Sequence, residues 1–500
     1  ADNILRVGVA NAPPYLDPGR DHSNVGSQFY INTFNTLLGK NRSTAEIEFE
    51  PELATSWTVI DPRLIELKIR QGVKFHNGDP MTIDDVVFSL QRMFNPSFVP
   101  YNAKSEEFFP NMYRVEKVDA LTLRVYSKRP EPLMELMLNA QQLMIVPKKY
   151  IMGLTGHPEL DDASDYEAFN KAPVGTGPYK ITKLMPGEEV VYERFDDYWG
   201  EKAPFDKVVI KKISELSTRI TALVNGEVDL ITNIPPDQLS VLDNDPNLKS
   251  VGAVTPLFHV VMYNPNLPTM TRELRQALNM CVDRELLNEA LWGGKSAVPN
   301  THTFVQYGPY YTPEIMTFEY NPEKAKKLIK DNGLEGTTVR YDTFSVYYTN
   351  GLLAAQAIGE MWAECGITQE LNVTEKWTGG DPTMAARNFS NPMYFADPAG
   401  SFGIMWSPTG FGVTSPAGAH WKPKPEYTEM WNNFRYETDV QKRNAAYKEI
   451  MDYIKEDPPF LLLYQPYESY GMRKEINWEP LPGHIPYVLD FTAGRITVGN

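Results

Sequence analysis

The sequence lacks several features that would assign it to a common class of protein. Only two of its 500 residues are cysteine, which excludes a disulfide-rich scaffold and a cysteine-ligated metal protein. It contains no apolar run close to the roughly 18 residues that a membrane span requires. Its 48 basic residues face 64 acidic ones, and the net charge of −16 disfavours nucleic acid or anionic lipid as the main partner.

Catalytic motifs are missing as well. No G-x-S-x-G nucleophile elbow is present, and the GTGP run at residues 175–178 leads into a predicted strand, as a structural turn would. The adjacent carboxylates Asp84 and Asp85 fit the start of a helix. The seven histidines include no pair at a zinc-binding helical spacing and stand at positions 22, 76, 157, 259, 302, 420 and 484. We therefore expect no enzyme activity, no metal and no cofactor.

What the chain does have is the composition of a globular protein. Hydrophobic residues make up 42% and charged residues 22%, and 500 residues predict about three domains. Strand and helix patterns alternate along the chain, which indicates an α/β fold. The patterns predict a strand at residues 4–9, a helix at residues 24–38, and a helix that begins at Thr82 with Asp85 completing a capping box.

Two features bear on the cellular compartment. The chain begins Ala1-Asp2-Asn3, without an initiator methionine, and a strand follows almost at once. This start predicts a mature exported form whose signal peptide has been removed, although a chain shortened for production would look the same. Cys281 and Cys365 fall on predicted buried helices, and the sequence leaves open whether they pair.

An irregular segment at residues 388–418 combines aromatic side chains with glycines and polar groups. Aromatic faces beside hydroxyl, carboxylate and bare backbone groups suit a sugar or another small polar ligand. A packed, loop-rich wall without a ligand would explain the same composition. The side chains concerned are Phe389, Tyr394, Phe395, Asp397, Ser401, Phe402, Trp406 and Phe411.

Several sequence blocks, in one order along nearly the whole chain, resemble those of a known family. They are PELATSW at 51–57, GVKFHNG at 72–78, DDVVFS at 84–89, VGTGPY at 174–179, LRQAL at 274–278, VDR at 282–284 and YNPEKA at 320–325. With these blocks the chain resembles the extracytoplasmic solute-binding proteins of ABC importers, in the class that takes dipeptides, oligopeptides and opines.

The resemblance implies an α/β, two-lobed Venus-flytrap fold with an extra α+β subdomain inserted in the first lobe. The lobes of such a receptor close on a ligand, and a membrane permease recognises the closed form. The implied first-lobe core comprises residues 1–41, 173–258 and 476–500, the inserted subdomain 42–172, and the second lobe 259–475. A periplasmic monomer is implied, whose partners are a small-molecule ligand and the permease, with no nucleic acid.

The resemblance also bears on the kind of ligand. In peptide receptors of this class, an aspartate three positions before an Asp-Pro pair anchors the peptide ammonium, and a tryptophan stands three positions earlier. Here the pair is Asp397-Pro398, so these positions fall on Tyr394 and Asn391. A buried ammonium without a carboxylate is strongly disfavoured, so a free peptide amine has no obvious partner in this segment.

The expected binding site follows from the same resemblance. Tyr394, Phe395 and Trp406 would enclose a sugar, while Arg387 would bind an anion, with a surface salt bridge as an equal alternative for that arginine. Successive backbone N–H groups near Gly400 would add to the anion site. The complete set of expected ligand contacts is His22, Asn24, Val25, Gly26, Arg387, Tyr394, Phe395, Asp397, Gly400, Ser401, Trp406, Gln465 and Tyr467.

Within the class, the chain is most similar to opine receptors, in particular those for agrocinopines, which are sugar phosphodiesters. The expected ligand is thus a small sugar-phosphate or opine-type solute, with a pyranose-2-phosphate as the simplest example. Two alternatives stay open. One is an oligopeptide receptor with a different amine anchor, and the other is a glycosidase with two acidic residues across a cleft, for which no carboxylate pair stands out.

Overall fold

A computed structural model of the chain describes residues 3–14, 16–21, 23–44, 46–97, 105–155, 166–375, 381–415, 421–481 and 488–499. The chain divides into two compact units. The first unit comprises residues 1–234, 239–253 and 469–500, and the second comprises residues 235–238 and 254–468.

The strands belong to sheets in both units, and the predicted strand at residues 4–9 is confirmed as β1. In the first half of the chain they are β1 (Ile4–Val9), β2 (Leu38–Lys40), β3 (Phe49–Pro51), β4 (Ala54–Asp61), β5 (Leu64–Ile69), β6 (Met112–Lys117), β7 (Thr122–Ser127), β8 (Tyr179–Met185), β9 (Glu189–Arg194), β10 (Lys207–Lys212), β11 (Leu230–Ile231) and β12 (Leu248–Val254). In the second half they are β13 (Leu257–Tyr263), β14 (Thr338–Phe344), β15 (Thr368–Thr374), β16 (Ala386–Pro392), β17 (Phe460–Tyr464), β18 (Tyr467–Arg473), β19 (Ile476–Trp478) and β20 (Ile496–Val498).

The helices are short, and none in the described part of the chain has both the length and the apolar content to cross a membrane. In the first half they are α1 (Asn24–Ser27), α2 (Tyr30–Thr33), α3 (Ile83–Phe94), α4 (Ser105–Phe108), α5 (Met134–Leu138), α6 (Lys148–Thr155), α7 (Tyr166–Lys171), α8 (Leu216–Val224) and α9 (Leu239–Asp243). In the second half they are α10 (Arg272–Met280), α11 (Arg284–Trp292), α12 (Pro322–Asp331), α13 (Gly351–Glu364), α14 (Phe402–Trp406), α15 (Phe411–Thr414), α16 (Glu426–Arg435) and α17 (Val440–Glu456).

Two of the helix predictions have opposite outcomes. Helix α3 begins after the expected capping box, in which the Thr82 backbone N–H donates to the Asp85 carboxylate at 2.8 Å. The continuous helix predicted at residues 24–38 is wrong, because the segment forms two single turns and then strand β2. Its polar side chains are buried in tertiary hydrogen bonds, for example from Asn32 Nδ2 to the carbonyl of Leu489 at 2.7 Å. These bonds outweigh local helix propensity.

The first unit contains a seven-stranded sheet with the order β12-β18-β11-β1-β10-β9-β8 and a separate four-stranded sheet with the order β4-β5-β7-β6. The GTGP run lies against the chain before β2, since a Cβ on Gly175 would stand 2.1 Å from the Thr33 carbonyl oxygen. His76 joins this contact, with its Nε2 2.9 Å from the Gly177 carbonyl oxygen. The GTGP run and the segment around His76 therefore contribute to packing in the first unit.

The second unit is built on a five-stranded sheet with the order β15-β14-β16-β13-β17. Strand β16 is parallel to β14 and antiparallel to β13, which is in turn antiparallel to β17. The carboxyl ends of β14, β16 and β17 therefore point to one edge of the sheet, where β13 begins. We call this the loop edge; the loops after Phe344, Pro392 and Tyr464 start there.

A disulfide bond joins Cys281, directly after α10, to Cys365, directly after α13. The two residues are 84 positions apart in sequence, and both are buried. The sequence left open whether the two cysteines pair, and the structure shows that they do. A disulfide also fits an oxidising, extracytoplasmic compartment.

Candidate functional site

The loop of residues 393–401, which follows β16 at the loop edge, is closed by its own backbone. The Tyr394 N–H donates to the Gly400 carbonyl at 2.9 Å, and the Gly400 N–H donates to the Asp397 carbonyl at 2.8 Å. A Cβ on Gly400 would lie 2.4 Å from Phe395, so the turn is tight enough to require glycine there. The predicted contacts Tyr394 and Gly400 thus occupy one rigid loop.

A buried ion pair fixes the same loop to α17. Arg443 Nη1 and Nη2 donate to the two Asp397 carboxylate oxygens at 2.5 and 2.8 Å, and the two side chains are 1% and 0% exposed. The Asp397 carboxylate also accepts the Ala399 N–H at 2.8 Å. The guanidinium lies 4.4 Å from the ring centres of Tyr310 and Phe434. Because its oxygens are used inside the protein, we leave Asp397 out of the proposed ligand contacts.

The predicted aromatic contacts differ in how much of each ring is accessible. Trp406 is fully buried and stacks on Phe460 with ring centres 5.1 Å apart. Phe395 is also buried, at 5% exposure. Tyr394 is only half-buried. Of the three, Tyr394 is therefore the ring best placed to meet a solute, and contact of the other two with a ligand stays a prediction.

Asn391, which occupies the tryptophan position of the peptide receptors, belongs to a buried polar network. Its Nδ2 donates to the Ser401 carbonyl at 2.9 Å, and His302 Nε2 donates to its Oδ1 at 2.9 Å. Tyr447 in turn donates to the His302 carbonyl at 2.7 Å. The network explains why a polar residue occupies position 391, and it gives Ser401 a structural role beside the predicted one.

The His302 ring makes stability in the second unit depend on pH. Burial lowers the pKa of His302 from 6.5 to about 3, so on acidification the unfolded chain takes up the proton first and the folded state loses stability. From about pH 7 to pH 5 this should cost about 2 kcal/mol. We expect His302→Gln to lose about 2 kcal/mol less than the parent chain over that interval, measured by urea unfolding. Parallel pH profiles for the two proteins would contradict the assignment.

Arg387 is the second residue of β16 and is 3% exposed. Its Nη2 lies 3.4 Å from the Met262 sulfur, and its guanidinium lies 5.1 Å from the centre of the Phe389 ring. Burial lowers its pKa to about 10, which leaves the group charged at neutral pH. About five residues of strand, or roughly 16 Å, separate Arg387 from the loop edge, so the structure does not bring it next to Tyr394.

Two further predicted contacts follow β17. The backbone of Gln465 pairs with that of Ala297, with N–H to carbonyl distances of 2.8 and 3.2 Å, and its side chain is 8% exposed. Tyr467 is half-buried, and the ammonium of Lys295 lies 5.3 Å from the centre of its ring. Both lie at the loop edge, where their contact with a ligand stays a prediction.

Three of the four predicted contacts of the first unit, Asn24, Val25 and Gly26, lie on α1. Gly26 is closely packed, because a Cβ there would stand 1.8 Å from the Asp21 carboxylate. The preceding turn is held by Asp17, which accepts two hydrogen bonds from the Arg92 guanidinium at 2.7 and 2.9 Å. Asn24 and Val25 are partly exposed on this fixed turn. His22 lies outside the described residues, and the role of this segment in ligand binding stays a prediction.

A group of four rings at the loop edge was not predicted. We call it the His259 cluster: His259, Trp292, Tyr348 and Tyr464. The His259 ring centre lies 5.1 Å from that of Tyr348, 5.7 Å from that of Tyr464 and 6.2 Å from that of Trp292. The four residues come from β13, α11, the loop after β14, and β17. No local sequence pattern connects four such elements, so the sequence carries no signal for the cluster.

Other candidate sites in the described part of the chain carry less chemistry. It holds no group of three or more His, Cys, Asp or Glu side chains arranged to bind a metal ion. A cavity of about 300 Å³ is lined by residues of α10, α12 and the end of α17. Four of its charged groups are already paired, Lys327 with Asp331 and Lys324 with Glu319.

Known proteins similar to this chain are solute-binding proteins. Over 505 residues the chain is 26% identical to di/tripeptide-binding protein 1 of Pseudomonas aeruginosa, covering 95% of this chain and 91% of that protein. The periplasmic binding protein DppA of Helicobacter pylori, solved with the peptide STSA, has a TM-score of 0.84 at 22% identity, with 99% and 98% of the two chains covered. AgaA of A. tumefaciens R10, solved with agropinic acid, has a TM-score of 0.81 at 23% identity, with 99% of each chain covered.

These similarities confirm the predicted α/β, two-lobed periplasmic binding protein fold. They do not confirm the finer assignment to agrocinopine receptors. A model of the bacterial extracellular solute-binding proteins, family 5, matches residues 48–416, which is well over half of the chain. The chain therefore belongs to family 5 of the bacterial extracellular solute-binding proteins.

Proposed function

We propose that this chain binds a small, anionic, sugar-derived solute of the opine or sugar-phosphate type and delivers it to an ABC importer. Members of family 5 are extracytoplasmic solute-binding receptors that work with ABC importers, and the similar proteins are receptors and not enzymes. The proposal adds the chemistry of the ligand to that role.

The observation that carries the proposal is which chemical groups the loop of residues 393–401 has available for a ligand. Its one carboxylate, Asp397, is bound by Arg443, and the position that holds an aspartate in peptide receptors holds Tyr394. The loop thus offers a ring face, a hydroxyl and backbone groups, which suit a polyhydroxylated ligand and provide no counter-charge for a peptide ammonium.

Two further observations agree with an anionic sugar derivative. The Arg387 guanidinium stays charged although it is buried on β16, and a guanidinium suits a carboxylate or phosphate. AgaA, a protein of the same fold, was solved with agropinic acid, which joins a sugar-derived chain to an acidic group. A ligand that reaches from Tyr394 towards Arg387 would have to span much of β16.

One observation favours a second candidate function. The P. aeruginosa relative matches nearly the whole chain and is named for di- and tripeptides. A peptide receptor with an amine anchor outside the loop of residues 393–401 is therefore the alternative.

Calorimetric titration of the ligand-stripped, refolded protein distinguishes the proposed receptor for an anionic sugar derivative from the alternative peptide receptor. The probes are agropinic acid, mannopinic acid, a pyranose-2-phosphate and a mixture of di- to pentapeptides, each titrated separately. Micromolar or tighter binding of an opine or of the sugar phosphate, without peptide binding, would support the proposal. Tight binding of the peptides alone would overturn it in favour of the alternative.

We expect Tyr394→Ala to weaken binding of the preferred sugar-derived probe at least tenfold, or about 1.4 kcal/mol, because the half-buried ring would lose its stacking face and its hydroxyl. Tyr320→Ala is the matched control, since Tyr320 is 49% exposed in the same unit. Unchanged affinity of Tyr394→Ala would remove this tyrosine from the site.

A further inference from the structure

The His259 cluster contains a buried polar atom without a hydrogen bond to any other described residue. His259 is 4% exposed, and Trp292 and Tyr464 are fully buried. Among the described residues, His259 Nε2 has no hydrogen-bond partner, and Trp292 Nε1 and the Tyr464 hydroxyl have none besides each other. Leaving a buried polar atom unsatisfied costs stability, so His259 Nε2 calls for an explanation.

A buried carboxylate lies next to these rings. Glu468 is 2% exposed, and its Oε2 accepts a hydrogen bond of 3.5 Å from Thr349, the residue after Tyr348 of the cluster. Its negative charge also acts on Tyr464, whose pKa is raised chiefly by burial and in addition by Glu468. We treat the His259 cluster and Glu468 as one neighbourhood, because Glu468 accepts a hydrogen bond from the residue next to Tyr348 and its charge acts on Tyr464.

We infer that the His259 cluster and Glu468 form a binding site for a protonated amine of the ligand. The inference rests on the proposed function and narrows it: the solute is an amine-bearing opine and not a sugar phosphodiester. An amine here would also take the place of the anchor that the loop of residues 393–401 lacks.

The chemistry of the neighbourhood matches an ammonium better than other groups. An ammonium has three donors and no acceptor, and this neighbourhood supplies the Glu468 carboxylate, the Tyr464 oxygen and His259 Nε2 as acceptors. Burial lowers the pKa of His259 to about 3, so the ring is neutral and, with its proton on Nδ1, can accept at Nε2. Ring faces attract cations as well. An anionic group would be repelled by Glu468.

Tyr348 marks the least enclosed side of the cluster. It is half-buried while the other three members are buried, and its hydroxyl lies 3.3 Å from Ser390 Oγ on β16. This side of the cluster therefore lies beside the strand that leads to Tyr394. A ligand bound along β16 could place a polyol near Tyr394 and an amine near Tyr348.

The test compares ligands that differ at one nitrogen. In mannopinic acid this nitrogen is a protonated secondary amine, and in agropinic acid it is a neutral lactam; a dipeptide and its N-acetyl derivative form a second pair. Within whichever pair binds, we expect calorimetry to show that the parent chain binds the compound with the protonated amine more tightly than the neutral compound. In Glu468→Gln, which keeps the side-chain shape, binding of the amine member should weaken at least about thirtyfold, while binding of the neutral member changes less than about threefold.

Controls separate a local effect from loss of folding. Glu314→Gln removes an exposed carboxylate of the same unit and should leave both affinities unchanged. Tyr348→Leu, at the least enclosed side, should weaken only the amine member, by about fivefold or more. It keeps the inference testable if Glu468→Gln fails to fold.

The outcomes distinguish the two proposals. Equal binding of the two opines, with no effect of Glu468→Gln, would overturn the amine site and leave the proposed function standing. A second outcome is that only the dipeptide pair binds, that the free amine is preferred, and that Glu468→Gln abolishes this preference. It would overturn the proposed function and support the amine site. Binding of none of the four probes would overturn the amine site.

Discussion

Replacing Arg443 by methionine is expected to lower the free energy of unfolding by about 3 to 5 kcal/mol. The substitution leaves the Asp397 carboxylate buried at 0% exposure without the two hydrogen bonds that now neutralise it. A buried charge that has lost its partner is among the costliest defects in a folded protein. Urea unfolding followed by tryptophan fluorescence measures the change.

Two comparisons make this result specific. Arg272→Met removes an exposed ion pair with Glu273 and should cost less than about 1 kcal/mol. Combining Arg443→Met with Asp397→Leu removes both charges and should recover much of the lost stability. If Arg443→Met unfolds within 1 kcal/mol of the parent chain, the ion pair does not fix the loop of residues 393–401 in the way argued above.

Removal of the Cys281–Cys365 disulfide is expected to cost about 4 kcal/mol of unfolding free energy. The bond closes a loop between residues 84 positions apart, so its loss restores much conformational freedom to the unfolded chain. The measurement is urea unfolding of the parent chain and of the double variant Cys281→Ser, Cys365→Ser, each with and without dithiothreitol.

The reductant supplies the control in this case. It should shift the unfolding of the parent chain and leave the double variant unaffected, because that variant has no bond to reduce. Equal unfolding midpoints for the oxidised parent and the double variant would show that the bond adds nothing to stability. The bond would then be a consequence of the oxidising compartment alone.

Much of the fold could be predicted because its signals are local or distributed along the chain. The strand at residues 4–9 and the capping box of α3 need only neighbouring residues, and the family blocks keep their order over nearly the full length. The helix predicted at residues 24–38 failed because hydrogen bonds from distant segments, such as that of Asn32 with Leu489, determine its backbone. A sequence pattern does not reveal such partners.

The candidate site was harder to predict for the same reason. The partner of Asp397, Arg443, lies 46 residues away on α17, and nothing near Asp397 in sequence indicates the pair. The four members of the His259 cluster lie on four elements that only the sheet order of the second unit brings together. Tyr394 could be singled out because its position is defined by the adjacent Asp-Pro pair.

The construction of the loop of residues 393–401 has a consequence for how such a receptor can change its ligand. Its shape is set by hydrogen bonds among its own backbone groups and by the Asp397–Arg443 pair, and none of these uses the side chain at position 394. Under the proposed function, we expect exchange of that side chain to alter which solute is preferred while these bonds are retained. Selection, or a randomised library at this position, would then explore new specificities on one scaffold.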